Sequence, residues 1–340
     1  MKTFSTAFQE VTGSAPPTRL NAQLEKYWNR PVRELCQLED SVTLRPEEKE
    51  RHRIYCYLLM TIVYHYWNCY KHGRRGEYPW HDAPVPTDPA FYDGDYLGHN
   101  IAALAVDTSG RVLDFDFNHN TLFNSSAEHA EARLVRRLYS LAQISEAWSA
   151  APDPGLALGD RAGTGGRTSL TGVTIYTSLE SCSQCSGVMA LARVKEVVYL
   201  QTDPGQYFIG RILRNLTSAD MRAPLPISGG EVDLKLFGSL NASFSEFIAG
   251  LRATPFWIGP DGRRDTGPSV TSFLCTRVAR AAFASGGDLL ARLTNETDGL
   301  EHSAFRPQPQ ALSNGEVVSE AEQFLRYAIA AGRRGTPHNL

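Results

Sequence analysis

The sequence predicts an α/β fold built on a mixed β-sheet, and two segments of the chain carry this prediction. Apolar, β-like runs at 99–106 and 111–117 are separated by a short turn that contains a glycine, which is typical of an antiparallel hairpin. Further along, a buried strand at 172–178, a helix at 182–192 and a strand at 196–200 follow one another. A strand–helix–strand unit of this kind makes a right-handed crossover and therefore a parallel pair.

The length of 340 residues allows one large domain or two ordinary ones. We expect a helical N-terminal region with a proline-rich linker at 1–95 and an α/β domain at 96–220. Within that domain, 149–170 is rich in glycine, alanine and proline and is interpreted as a flexible insertion. A mostly helical C-terminal extension is expected at 221–340.

In the N-terminal region, residues 1–16 are predicted to form a loose lead-in. A helix is predicted from Pro46 to Gly73, because proline suits a first helical turn and glycine often follows a last one. Its aromatic residues and basic ends allow two interpretations, a buried core helix or a base-stacking element for nucleic acid. The stretch at 76–96 holds four prolines and is interpreted as the linker.

The C-terminal extension is predicted to start with a loop or short hairpin at 222–241, where prolines and glycines are frequent. Helices are predicted at 244–251, 272–285 and 319–331. In the last of these, Ser319 and Glu322 have the spacing of a capping box.

Composition limits the classes of function. The formal net charge is -3 and the sequence pI is about 6.3, so no overall basic field attracts the protein to nucleic acid. We expect a cytoplasmic protein without membrane association, since neither a secretory signal pattern nor an apolar run of ~20 residues is present. Four cysteines outside the motif described next are expected to be buried free thiols: Cys36, Cys56, Cys69 and Cys275.

Two short motifs contain the residues that bind metals and move protons. His129 and Glu131 lie near the start of a helix predicted at about 127–142, and Cys182 and Cys185 have the C-x-x-C spacing that directs two thiolates toward one metal. Three protein ligands leave the fourth tetrahedral position of zinc for water, as in catalytic sites. Glu131 is placed to reach that water without being a ligand.

Each motif alone has an ordinary explanation. A single C-x-x-C is also found in redox pairs and in half of a structural zinc site, and a helix histidine or glutamate is common. A second C-x-x-C is absent from the sequence, which disfavours a zinc ribbon or finger. The joint occurrence of both motifs after a hairpin favours the catalytic zinc site.

The insertion at 149–170 invites a second hypothesis, because Gly163, Gly165 and Gly166 precede Arg167 and Thr168. The G-K-[ST] ending of a phosphate-binding loop is absent, and no strand precedes the glycines. Because the insertion connects the two zinc-binding elements, a lid over the active site is an alternative to a plain surface loop.

The residues around the motifs resemble bacterial tRNA adenosine deaminases and, close behind, guanine deaminases, within the zinc-dependent cytidine deaminase-like superfamily. The resemblance is carried by 174–189, by 197–199, by Asp203-Pro204 and by Asn118, which lies eleven residues before His129. It covers roughly residues 97–210. The resemblance implies a three-layer α/β/α arrangement around the mixed sheet.

The chain departs from the family at one position, since Ser181 stands where a proline usually precedes the first cysteine. Proline suits a first helical position, and serine is expected to cap the same helix end through its hydroxyl group.

The resemblance implies a chemistry and a set of residues. One Zn²⁺ per chain is expected, with Glu131 acting as general base and then general acid in hydrolytic deamination. The resemblance also implies that Asn118 and the Cys182 backbone N–H hold the reacting base. His119 and Asn120 are candidates for the pocket rim, with an ordinary loop position as the alternative.

The substrate is less well specified by the sequence. Glu180 before Ser181 resembles the purine-acting branch, which favours an adenine-type or guanine-type base. Deamination of cytosine or cytidine is the alternative, and a non-catalytic subunit with structural zinc is a second one. The base is expected free, in a nucleoside or within a nucleic acid, and a homodimer is left open.

Overall fold

The computed structural model of the protein describes residues 2–16, 24–41, 43–68, 97–140, 169–217, 222–253, 269–295 and 299–331. The predicted linker at 76–96, Cys69 and nearly all of the insertion at 149–170 lie outside these ranges. Leu170, at the end of the insertion, is described and is buried, and its N–H donates to the Ala192 carbonyl at 2.7 Å. Leu170 is therefore part of the hydrophobic core.

A five-stranded mixed sheet forms the centre of the fold, in the order β2-β1-β3-β4-β5. The hairpin partners β1 and β2 are antiparallel, β1 is also antiparallel to β3, and β3, β4 and β5 run parallel. The predictions of a hairpin and of a parallel crossover are thus confirmed. The strands are β1 Ala102–Val106, β2 Val112–Phe117, β3 Thr174–Thr177, β4 Glu196–Tyr199 and β5 Leu225–Ser228.

The prediction of a loop or hairpin at 222–241 is wrong, because this stretch contains β5 and the start of a long helix. Pro226 is the residue that suggested a loop. It is tolerated here because β5 is an edge strand, where a missing N–H leaves no ladder bond unmade.

Helices surround the sheet, and every residue of β1 and β2 is buried, so both faces are covered. The α/β fold with a mixed sheet is therefore confirmed. The helices are α1 Phe4–Thr12, α2 Val32–Leu35, α3 Pro46–His65, α4 Ala130–Ser140, α5 Ser183–Leu191, α6 Ile209–Leu216, α7 Lys235–Ala253, α8 Val270–Phe273, α9 Arg277–Asn295 and α10 Asn314–Ala331.

Two predictions about helices are wrong, the loose lead-in at 1–16 and the start of the last helix. Residues 1–16 contain α1, whose N-cap Thr3 accepts a hydrogen bond from the Thr6 N–H. The last helix begins before Ser319, and its capping box is formed instead by Ser313 and Glu316, each of which receives the other's backbone N–H. Local spacing alone does not distinguish two such pairs in one polar stretch.

The long helix α3 is a core element. Ile54, Leu58 and Ile62 are fully buried, and α3 packs against α9, α10 and the sheet. A Cβ atom on Gly286 of α9 would lie 2.5 Å from Met60 Cβ, so the glycine permits the close approach of the two helices. Tyr55 is buried and donates its hydroxyl to the Gly110 carbonyl at 2.6 Å. These contacts support the core-helix interpretation over the base-stacking one.

One continuous hydrophobic core joins α3, the sheet and the C-terminal helices. The strand β5 lies beyond residue 220 yet belongs to the central sheet. The division at 1–95, 96–220 and 221–340 stays a prediction. Among the described helices, none combines the length and apolar character that a membrane crossing requires.

Candidate metal centre and adjoining cavity

The metal-ligand candidates lie where two helices begin beside the end of a strand. His129 immediately precedes α4, whose start at Ala130 is slightly later than predicted, and Glu131 is in its first turn. Cys182 is the N-cap of α5, and Cys185 lies in the first turn of that helix. The short segment from β3 to α5 therefore brings both cysteines to the position of His129.

The three candidate ligands converge. Cys182 Sγ lies 3.3 Å and Cys185 Sγ 3.6 Å from His129 Nδ1, and all three ligand atoms lie within 4.8 Å of one another. Zinc with Zn–S and Zn–N distances of about 2.3 and 2.0 Å in a tetrahedron separates S from N by ~3.5 Å. The donor set and its spacing therefore fit a zinc ion.

The charges of the thiols are coupled to one another. The pKa of Cys182 is lowered to about 4. The hydrogen bond from Cys185 is the largest cause, and the hydrogen bond with His129 acts in the same direction. The same pairing raises the pKa of Cys185 and, through Cys182, that of His129. Cys182 is thus a thiolate at neutral pH, which is the form that binds metal.

The carboxyl group of Glu131 is buried beside the ligands, with 4% of the residue exposed. Its Oε1 accepts hydrogen bonds from Thr177 Oγ1 at 3.1 Å and Ser181 Oγ at 3.0 Å. Its Oε2 accepts from Cys185 Sγ at 3.3 Å. Burial raises the pKa of Glu131, which is a property expected of a group that takes up and returns protons.

A cavity of about 140 Å³ adjoins the three ligands and Glu131. Asn118 lines it, and the Asn118 Oδ1 accepts the backbone N–H groups of His99 at 3.1 Å and Asn120 at 3.2 Å. These two bonds fix the amide at the cavity wall. The lining residues are His99, Ile101, Asn118, His129, Glu131, Leu179, Glu180, Cys182, Asp203, Gln206 and Thr271.

The structure places the two other loop candidates differently. His119 is fully buried and packs against the Phe123 ring at 6.0 Å, so it does not lie at the pocket rim as predicted. Asn120 does not line the cavity either, but its Nδ2 lies 3.1 Å from the His99 Nε2. Asn120 therefore contacts a lining residue.

Sequence reasoning missed seven of the lining residues as site candidates, of which Ile101 and Leu179 are apolar and five are polar. Glu180 and Asp203 belong to the matching segments, so their pattern was visible although their place in the cavity was not. His99 is the first residue of the run predicted at 99–106, Gln206 lies six residues after the strand predicted at 196–200, and neither belongs to a motif. Thr271 comes from the C-terminal extension, and no sequence pattern connects it with the cavity.

A buried ion-pair network supports the helix that follows His129. Arg133 is fully buried, and its guanidinium donates to Asp116 Oδ1 at 3.1 Å and Glu128 Oε2 at 2.8 Å. The exposed Arg136 contacts the same Glu128 oxygen at 2.7 Å. Since Asp116 belongs to β2, the network fixes α4 against the sheet.

Comparison with known proteins finds that the region of this centre is similar to one family. Residues 90–201 match the model of the cytidine and deoxycytidylate deaminase zinc-binding region. A tRNA-specific adenosine deaminase of Bacillus subtilis (strain 168) is 31% identical over 77 residues, which are 23% of this chain and 48% of the relative. The chain thus spans about half the length of this curated relative.

Two solved structures are similar to parts of the chain. One, from work on A-to-I editing by tRNA:A34 deaminases, is 23% identical, covers 38% of this chain and 82% of its own, and has a TM-score of 0.26. The other, a guanine deaminase from Nitrosomonas europaea, is 19% identical, covers 45% of this chain and 74% of its own, and has a TM-score of 0.27.

Proposed function

We propose that this chain, whose residues 90–201 match the model of the cytidine and deoxycytidylate deaminase zinc-binding region, is a hydrolytic deaminase of a nucleobase. The observation that carries the proposal is the buried Glu131 carboxyl group beside His129, Cys182 and Cys185. In the reaction, water replaces the amino group on a ring carbon, and ammonia leaves.

The proposed ligands of the metal are His129, Cys182 and Cys185. A zinc ion held by them supplies Lewis-acid chemistry and lowers the pKa of water bound to it to ~7. Glu131 is the proposed proton carrier, which passes one proton of the attacking water to the ring nitrogen and then carries the second proton of the same water to the leaving amine. Asn118 and the Cys182 backbone N–H are the proposed groups that orient the base.

An amino-purine is the favoured substrate. One support is Glu180, which directly precedes Ser181 as in the purine-acting branch. The other is the similarity to a tRNA-specific adenosine deaminase. Cytosine or cytidine is the second candidate, which the description of the matching family model favours. A non-catalytic subunit with structural zinc is disfavoured, because such a subunit has no use for a buried carboxyl group beside the metal ligands.

A screen for ammonia release tests the proposal. The zinc-loaded protein is incubated with adenine, guanine and cytosine, each as free base, nucleoside, nucleotide and single-stranded RNA or DNA. We expect ammonia from one base in at least one of these forms. If every form of every base gives no ammonia above a protein-free control, the proposed function is refuted.

A further inference from the structure

The lining of the cavity is acidic. Three carboxyl groups belong to it, those of Glu131, Glu180 and Asp203, whereas the described part of the chain contributes neither lysine nor arginine to the lining. Burial raises the pKa of Glu180, and the positive charge of Arg211 is close enough to act in the opposite direction. Its guanidinium, however, contacts Glu231 at 3.6 Å and the Phe208 ring at 5.6 Å, and Arg211 does not line the cavity. Among the described residues, the lining therefore offers two histidines but no permanently charged cation to an anionic ligand.

The three carboxyl groups lie at different depths. Glu131 and Glu180 are 4% and 7% exposed, whereas Asp203 is only partly buried. The Glu180 Oε2 accepts the Asp203 backbone N–H at 3.1 Å, and the Asp203 Oδ1 accepts the Gly205 N–H at 2.9 Å. Asp203 is thus fixed as the carboxylate of the lining that is most accessible to solvent.

The size of the cavity limits what enters it. Its volume of about 140 Å³ is well below the ~300 Å³ at which pockets for larger ligands begin. A single base fits such a space, and a sugar or phosphate attached to the base extends toward the partly exposed lining residues. These include Asp203, Gln206 and Thr271.

We propose that the cavity takes an uncharged nucleobase or nucleoside and discriminates against the corresponding 5′-nucleotide, with Asp203 as a specificity-determining residue. This inference rests on the proposed deaminase function. A phosphate group carries a charge of about -1.5 to -2 and is normally bound by arginine, lysine or backbone N–H groups. Near Asp203 it meets a like charge, and like charges placed against each other reject a ligand.

The first test compares substrates that differ only in phosphate. For the deaminated base, kcat/KM is measured for free base, nucleoside, 5′-monophosphate and a short single-stranded oligonucleotide. The pH is about 8, well above the ~3.9 of an ordinary aspartate, because burial raises the pKa of Asp203. We expect the better of base and nucleoside to exceed both phosphorylated forms by about tenfold or more. The preference should shrink with added salt, because the Debye length falls from ~30 Å at 0.01 M to ~10 Å at 0.1 M.

The second test removes the charge. Asp203→Asn retains an oxygen that accepts the Gly205 N–H, so the local turn is kept. We expect the ratio of kcat/KM for nucleoside over 5′-monophosphate to fall by about threefold or more. Asp233→Asn is the matched control, since it changes net charge equally at an acid that pairs with Lys49 and does not line the cavity. Its ratio should equal that of the wild type.

The outcomes separate this inference from the proposed function. Ammonia release from the 5′-monophosphate or the oligonucleotide as efficiently as from the nucleoside overturns the inference and leaves the deaminase function standing. An unchanged ratio in Asp203→Asn overturns the role of Asp203. If no form of any base is deaminated, the proposed function itself fails.

Discussion

Ser181 and Glu131 are joined by a hydrogen bond of 3.0 Å, from the serine hydroxyl to the carboxylate Oε1. The expectation that Ser181 caps helix α5 is wrong, since Cys182 is the N-cap residue and no side chain caps it. Ser181 instead provides Glu131 with a second hydroxyl donor beside Thr177.

This contact predicts a kinetic effect for Ser181→Ala. A hydrogen bond to a charged group contributes ~1.5–3 kcal/mol, and each ~1.4 kcal/mol on the barrier is tenfold in rate. We therefore expect kcat to fall about tenfold with little change in KM, because Ser181 does not line the cavity. Steady-state kinetics on the true substrate measure this. Ser183→Ala, an exposed serine two residues on, is the control and should behave as wild type.

Glu131→Gln is predicted to abolish deamination while leaving zinc content unchanged. The amide keeps the shape of the side chain and an oxygen for Thr177 and Ser181, but it does not accept and return protons. Ammonia release and metal analysis on the same preparation check both parts. Activity above one-hundredth of wild type would contradict the assignment of Glu131 as the proton carrier.

One zinc ion per chain is predicted to depend on the two motif cysteines. The Cys182→Ala, Cys185→Ala double variant should lose the metal and, with it, thermal stability, because metal that binds only the folded state stabilises that state. Cys36→Ser provides the control, because Cys36 is a free thiol that lies far from the ligands along the sequence. Elemental analysis that finds equal zinc in the double variant and in wild type would refute the proposed ligand set.

Arg133 and Arg136 are predicted to differ greatly in their effect on stability. Removal of the fully buried Arg133 breaks the ion pair of 3.1 Å with the buried Asp116 and leaves that carboxyl group the longer contact of 3.6 Å with Arg137, at a cost of up to ~3–5 kcal/mol in the free energy of unfolding. Arg136 is 50% exposed and pairs with the same Glu128, so Arg136→Ala should cost less than ~1 kcal/mol. Denaturant unfolding of both variants measures the difference. Equal costs would show that the buried network does not stabilise α4.

Gly98→Ala is predicted to disturb Asn118. A Cβ atom on Gly98 would lie 2.2 Å from the Asn118 backbone oxygen and 2.6 Å from its Oδ1, so both the backbone and the side chain of the asparagine have to move. We expect KM to rise about tenfold or more if Asn118 orients the base. Gly187→Ala is the control, because a Cβ there contacts nothing within 4 Å and alanine favours its helix by ~0.5–1 kcal/mol. Kinetics identical in both variants would argue against a substrate contact by Asn118.

The residues closest to the metal could be predicted from the sequence, because their geometry is local. Two cysteines three residues apart at a helix start necessarily face one direction, and His129 and Glu131 flank a second helix start. The hairpin and the parallel pair followed from short apolar runs, whose strand character depends mainly on neighbouring residues. These features need little information from distant parts of the chain.

Only the tertiary structure decided the rest. The sequence around Pro226 predicts a loop, whereas in the fold Pro226 pairs with Val197 at the edge of the sheet. Ser181 is expected to cap a helix, whereas in the fold its hydroxyl lies 3.0 Å from Glu131. Thr271 belongs to the C-terminal extension, yet it lines the cavity. Each of these roles depends on a contact between segments far apart in sequence. Burial and side-chain packing establish such contacts, and they leave no periodic pattern in the residues themselves.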